Sequence, residues 1–267
     1  MHIYRWITGI IAVPILIYLI GPGPRWLFYG LVCLVAVIGL REFYQIAAPR
    51  LPRWIRWTAA GLMVLLFFAL GRRQVLLVPA ILSFWACIPM AYFMFSHPGS
   101  DPGGTSDMGK AALGPLYVGL PLAMLVLMDL IPRGNLWIFF LLAVIFAGDT
   151  AAFYCGRLFG KHKLHETVSP NKTWEGAVGA LIGSLGAAWV FLSFMDIHKK
   201  NGMLLILVCT LSVSGQIGDL SESLIKRTQG VKDSGRLLPG HGGILDRIDA
   251  LLFAAPVLYL YLHLFLV

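Results

Sequence analysis

Apolar residues run along this chain in long blocks, and nearly every polar break between them carries Gly or Pro. A membrane-crossing helix needs about 20 mostly apolar residues, and that rule predicts about nine spans. They fall near Ile7–Ile20, Trp26–Ile46, Trp57–Leu70, Val75–Phe95, Leu113–Leu130, Leu136–Phe153, Ala177–Phe194, Met203–Leu224 and Ile248–Leu266. The first and third are the shortest. The pattern predicts an all-α, polytopic bundle of membrane helices. No internal repeat interrupts it, and no stretch leaves room for a soluble domain. Met1 to Ile20 resembles a secretory signal in having Arg5 before an apolar run. Only Gly21-Pro22-Gly23-Pro24 follows, without a small-residue cleavage site, so a retained first helix is expected.

Composition agrees. Of 267 residues, 58% are hydrophobic and 13% charged, with mean hydropathy +0.78. A soluble domain carries roughly 25% charged residues. The net charge is +8, an excess that in membrane proteins collects in cytoplasmic loops facing anionic headgroups. No basic arm or nucleic-acid motif is present, so no nucleic-acid partner is expected. With the amino terminus cytoplasmic, most of the 21 Lys and Arg residues fall on that side. Arg25, Arg72, Arg73, Arg133, Lys199 and Lys200 fall opposite, and so does the carboxyl terminus. Cys33, Cys87, Cys155 and Cys209 lie in apolar segments without metal-ligand spacing and read as buried thiols.

The polar breaks differ in kind. Arg53, Trp54, Arg56 and Trp57 read as an interfacial belt with snorkelling arginines. Ser96 to Lys110 reads as a mobile Gly/Pro-rich connector without chemistry. Asp149 stands inside an apolar run two turns before Arg157. An intramembrane acid is a functional candidate, and a helix–helix hydrogen bond or a pair with Arg157 is an equal alternative. Further on, Asp219, Ser223 and Lys226 share one helix face, with Glu222 beside it and four residues from Lys226. A Glu222–Lys226 surface pair accounts for Glu222 but poorly for Asp219, the deepest of the set.

Ser223 to Asp249 is the most charged stretch of the chain. Lys226, Arg227, Lys232 and Arg236 suit phosphate oxygens. Asp246 and Asp249, three apart, face the same way on a helix. Between these groups Pro239-Gly240-His241-Gly242-Gly243 gives a turn whose backbone N–H groups can approach an anion. Within the stretch, Ser223, Lys226, Arg227, Lys232, Asp233, Gly235, Leu238, Pro239, His241, Gly242, Gly243, Asp246, Arg247 and Asp249 fall in one register. That register resembles the signature of the phosphatidate cytidylyltransferase family, the CDP-diacylglycerol synthases. A second run resembles the same family through Asp149, Tyr154, Gly156, Arg157, Gly160, Lys161, Ser169, Pro170, Lys172, Thr173, Trp174, Glu175 and Gly176. Asn171 departs from it, since many members have Lys there.

The resemblance implies transfer of a cytidylyl group from CTP to phosphatidate, giving CDP-diacylglycerol and pyrophosphate. It implies a multi-pass protein of the cell's inner (plasma) membrane with its active site on the cytoplasmic side. It also implies residues 1–134 as amino-terminal membrane helices and 135–267 as a membrane-embedded catalytic core. The partners would be CTP, phosphatidate in the bilayer and membrane lipids, with a homodimer left open.

The residues point the same way. Joining two phosphates sets anion against anion, so charge must be neutralised and the groups aligned. Asp suits Mg²⁺, and Asp219, Asp246 and Asp249 are the expected ligands, with a second cation left open. Asp219, Asp246, Lys226 and Lys232 are the expected catalytic groups. Ser169, Lys172, Ser223, Arg227, Arg236 and His241 are expected to bind substrate, although His241 equally suits a hydrogen bond that shapes the turn. A transporter would also bury Asp149 and Asp219, but the paired repeats of that class are absent from the sequence. An enzyme acting on another lipid phosphate, or a polyprenol kinase, shares the chemistry without the Lys-Asp and His-Gly-Gly blocks. No P-loop fingerprint occurs.

Overall fold

The structure is a computed structural model that describes residues 13–96, 102–195, 197, 201–235 and 242–266. It is helical almost throughout. In chain order come α1 (Arg25–Ala47), α2 (Arg53–Gly71), a 3-10 turn (Val75–Leu77) leading into α3 (Val78–Ser96), and α4 (Gly103–Asp129). α5 (Gly134–Phe159) leads to a short hairpin of β1 (Lys163–His165) and β2 (Ser169–Thr173). Then follow α6 (Trp174–Met195), α7 (Gly202–Thr228) and α8 (Leu245–Phe265). All eight helices are long and apolar enough to cross a membrane, so this is a multi-pass membrane protein. They coincide with eight of the expected spans. In the remaining span, Ile7–Ile20, residues 7–12 lie outside the described residues and 13–20 are helical.

Four expectations are corrected. The Ser96–Lys110 connector is largely α-helix, because α4 begins at its Gly103. Gly-rich sequence is only a weak prior against helix. Here Asp107 and Lys110 pair at 3.5 Å one turn apart, and the apolar remainder of α4 continues the same helix. The third span is longer than its apolar core, since Arg53, Trp54 and Arg56 form the first turns of α2. Trp54 and Trp57 are 51% and 75% exposed, as a belt requires. Arg56 does not simply snorkel: its Nη2 donates to the carbonyls of Ala48 (3.1 Å) and Pro49 (2.6 Å), just beyond the end of α1. The cysteines form no disulfide, but none is fully buried and Cys87 is exposed.

The chain forms two compact units, one of residues 1–126 with 229–246 and one of residues 127–228 with 247–267. The first packs around Phe43, Tyr44, Met63, Leu66 and Trp85, with the Tyr44 hydroxyl donating to the Ala111 carbonyl at 2.7 Å.

In the second unit α5 and α6 cross closely because small residues line the seam. A Cβ on Gly179 would lie 2.5 Å from Cβ of Cys155, and one on Gly183 would lie 2.5 Å from Cβ of Ala151. Gly148 and Ser184 meet in the same way, and Ser184 Oγ donates to the Val144 carbonyl at 3.0 Å. Membrane helices lack a hydrophobic drive to associate, and close backbone approach with a buried hydrogen bond replaces it. Asp149 immediately follows Gly148, so the seam fixes where that acid stands.

Candidate active site

In the second unit, four elements bring charge together. α5 carries Asp149, β2 carries Lys172, α7 carries Asp219, Ser223 and Lys226, and α8 carries Asp249. Lys172 Nζ lies 2.6 Å from Oδ2 of Asp219, with both side chains partly accessible. Ser223 Oγ donates to Oδ1 of Asp219 at 3.5 Å, as a shared helix face demands. The negative charge of Asp219 acts on Asp149 and on Asp249, and Asp149 also acts on Asp249. Against these three carboxylates stand Lys172, which acts on Asp149, and Lys226, which acts on Asp249. The charges acting on Asp149 are thus those of Asp219 and Lys172, brought by other elements, and not that of Arg157, one of the alternatives its own helix offered.

The hairpin that presents Lys172 is built locally. β1 and β2 are antiparallel, with Lys163 opposite Thr173 and His165 opposite Ser169. Lys163 Nζ donates to the Pro170 carbonyl at 2.6 Å. Thr173 Oγ1 accepts the Gly176 N–H at 3.1 Å, capping the start of α6. Glu175 reaches back, with Oε1 2.7 Å from His162 Nδ1 and both carboxylate oxygens 3.3 Å from the His162 N–H. Arg227, expected to bind substrate, donates from Nε to the Val168 carbonyl at 3.3 Å. It thereby fastens the end of α7 to the strand that begins at Ser169.

Glu222 and Lys226 form the expected i, i+4 ion pair, but it is not a surface pair. Glu222 is 1% exposed and the Lys226 side chain 14%. The helix face next to Asp219 turns into the packed interior, which the charge pattern alone did not reveal.

In the first unit, the segment before α8 folds around Asp246. Oδ2 of Asp246 accepts the N–H of Ser234 at 3.0 Å and of Gly243 at 2.9 Å. The Asp246 N–H in turn reaches Ser234 Oγ at 3.3 Å. Gly242, at φ +78°, takes a conformation that side chains disfavour. Lys232 and Asp233 are exposed on this segment, while Arg236 and His241 lie outside the described residues.

Sequence reasoning passed over Glu42 in α1. It is 4% exposed, and its carboxylate accepts Ser234 Oγ (3.1 Å), the Ile244 N–H (3.1 Å) and the Leu245 N–H (2.8 Å). The signal was available, because an acid inside an apolar run is uncommon. Glu42 sits in such a run, hidden by the neighbouring Arg41.

Among the described residues, no three His, Cys, Asp or Glu side chains are gathered closely enough to hold a metal ion. The chemistry of the donors nevertheless fits one: all are hard carboxylates, and in the second unit three of them repel one another.

The model of the cytidylyltransferase family matches residues 3–265. A phosphatidate cytidylyltransferase of Staphylococcus epidermidis is 35% identical over 262 residues, 97% of this chain and 98% of that protein. One from Staphylococcus aureus is 33% identical over the same shares of both chains. One from Staphylococcus saprophyticus is 44% identical over 177 residues, 66% of this chain and 67% of that protein. With nearly its whole length matched and its charged residues gathered at these helix ends, the chain belongs to the cytidylyltransferase family.

Proposed function

We infer that this chain is a phosphatidate cytidylyltransferase, which makes CDP-diacylglycerol and pyrophosphate from CTP and phosphatidate. The observation that carries the reading is the match of whole-length relatives bearing that name. Convergence of Asp149, Lys172, Asp219, Lys226 and Asp249 in one unit supports it.

In the reaction, an oxygen of the phosphatidate phosphate attacks the α-phosphorus of CTP. A P–O bond forms, the bond from the α-phosphorus to the bridging oxygen breaks, and pyrophosphate leaves with the electron pair. Phosphatidate is ionised near neutral pH, so no general base is required. Positioning and charge compensation carry the catalysis. Lys172, Lys226 and Lys232 offer ammonium groups to phosphate oxygens. Ser169, Ser223, Arg227, Arg236 and His241 complete the proposed substrate contacts. Lys172 is held by Asp219 at 2.6 Å, so an arriving phosphate competes for it and releases the carboxylate. Asp219, Asp246 and Asp249 would hold Mg²⁺. Bound there, the ion would offset the charge of the two phosphates. Asp246 and Asp249 begin α8 three residues apart, so one helix delivers both.

Phosphatidate keeps its acyl chains in the bilayer while CTP is soluble, so the site belongs at headgroup level. The charge bias supports a cytoplasmic location, at the plasma membrane, for the segments around Lys161–Lys172 and Lys226–Arg247.

The test is incubation of purified protein with labelled CTP, Mg²⁺ and phosphatidate, followed by lipid analysis. Label in CDP-diacylglycerol is expected from CTP and not from ATP or GTP. Equal lipid product from ATP would overturn the reading.

A further inference from the structure

We propose that Glu42 is a positioning residue for the reaction, acting from α1 on the segment that carries Asp246. Glu42 is nine-tenths buried or more, and it faces three donors from two places in the chain. Ser234 Oγ lies 192 residues away in sequence, and the Ile244 and Leu245 amides lie 202 and 203 away. Those two amides belong to the start of α8, where N–H groups lack helical partners and the helix dipole favours a negative neighbour. Glu42 therefore does for α8 what a capping side chain does locally, but from another helix.

The fit is close. A Cβ on Gly235 would run into the Glu42 carboxylate, and one on Gly243 would lie 2.5 Å from Oε2 of Glu42. Both positions need Gly because Glu42, joined at Gly243 by Ser234 Oγ, occupies the space. Ser234 couples the two acids: its hydroxyl donates to Glu42, its N–H donates to Asp246, and its Oγ accepts the Asp246 N–H. Glu42, Ser234 and Asp246 thus form a chain of hydrogen bonds in which moving the first moves the last. Only a pair of carboxylate oxygens at this reach satisfies all three donors. The amide of Gln would offer one acceptor and turn an N–H₂ group toward backbone N–H groups.

This inference rests on the cytidylyltransferase reading for its kinetic readout alone. The test combines kinetics with backbone hydrogen exchange of the intact protein in detergent, comparing wild type, Glu42→Gln and Ser234→Ala. Glu42→Gln is expected to lower kcat by about 10²-fold, the scale of a misplacement near 1 Å, with a smaller change in KM. Ser234→Ala is expected to lower kcat less than Glu42→Gln, and Glu42→Asp, which is too short, is expected not to rescue. Exchange should quicken at the Ile244 and Leu245 amides in Glu42→Gln while α5 and α6 stay protected. Unchanged kcat in Glu42→Gln, or loss of activity only in proportion to loss of folded protein, would overturn the proposal. If wild type formed no CDP-diacylglycerol, the functional reading would fail, and unchanged exchange at Ile244 and Leu245 would still overturn the anchoring by itself.

Discussion

The two units each hold acids on long apolar helices, and they treat them oppositely. In the first, both carboxylate oxygens of Glu42 accept hydrogen bonds from neutral donors. In the second, Asp149, Asp219 and Asp249 act on one another, with Lys172 and Lys226 as partial compensation. A buried carboxylate that is fully hydrogen-bonded shapes the fold. Carboxylates that face each other are expensive until a cation arrives. The first arrangement shapes the segment that carries Asp246, and the second is the proposed reaction site.

The sharpest way to break that comparison is to neutralise single acids. Asp219→Asn and Asp246→Asn should each lower kcat by about 10²–10³-fold, the scale of losing a preorganised charge-stabilising group. The double variant should be little worse than either, since both serve one reaction. Detergent stability should hold for Asp219→Asn, whose side chain is partly accessible. Near-additive losses would mean separate roles.

The next effect is on stability. Lys226→Met leaves Glu222 charged in the interior, and breaking such a pair costs about 3–5 kcal/mol. Thermal unfolding in detergent should show it, together with lost activity. Glu222→Gln should also destabilise, contrary to what a surface pair would do. An unchanged melting point in both variants would place the pair in solvent.

A smaller loss is expected at the α5–α6 seam. Gly183→Val forces the helices apart against Ala151 and Ala147, with overpacking costing about 1–3 kcal/mol. Because the seam sets Asp149, kcat should fall with stability. If stability falls and kcat does not, Asp149 lies outside the chemistry. The smallest effect is that of Ser223→Ala, which removes a long 3.5 Å hydrogen bond to Asp219 and should cost about 1 kcal/mol or less in kcat/KM.

The helices were legible because apolar run length is a strong signal, and eight spans fell where the pattern put them. Their ends were less legible. Arg53 to Arg56 and Gly103 to Lys110 are polar or Gly-rich, yet both continue helices whose apolar portions carry the packing. Of the residues the structure brings together, Asp219, Ser223 and Lys226 could be grouped from charge and spacing, while Lys172 entered through the family resemblance. What spacing could not show was the long-range partnering. Glu42 lies about 200 residues from the segment it holds, and no local period connects them. Likewise, the sequence shows Glu222 beside Asp219 but not which of the two faces the interior. The small-residue seam was readable in principle, from Gly179 and Gly183 four apart on one helix and Ala147, Ala151 and Cys155 at the same spacing on the other.

Binding of a divalent cation tests the central contrast most directly. Mn²⁺ can be titrated by electron paramagnetic resonance into purified protein in detergent, without CTP or lipid. The account predicts saturable binding to wild type and at least tenfold weaker binding to Asp219→Asn, as expected on losing one hard ligand. Equal affinity in the two proteins would contradict it, since the acids of the second unit would then not be the cation's site.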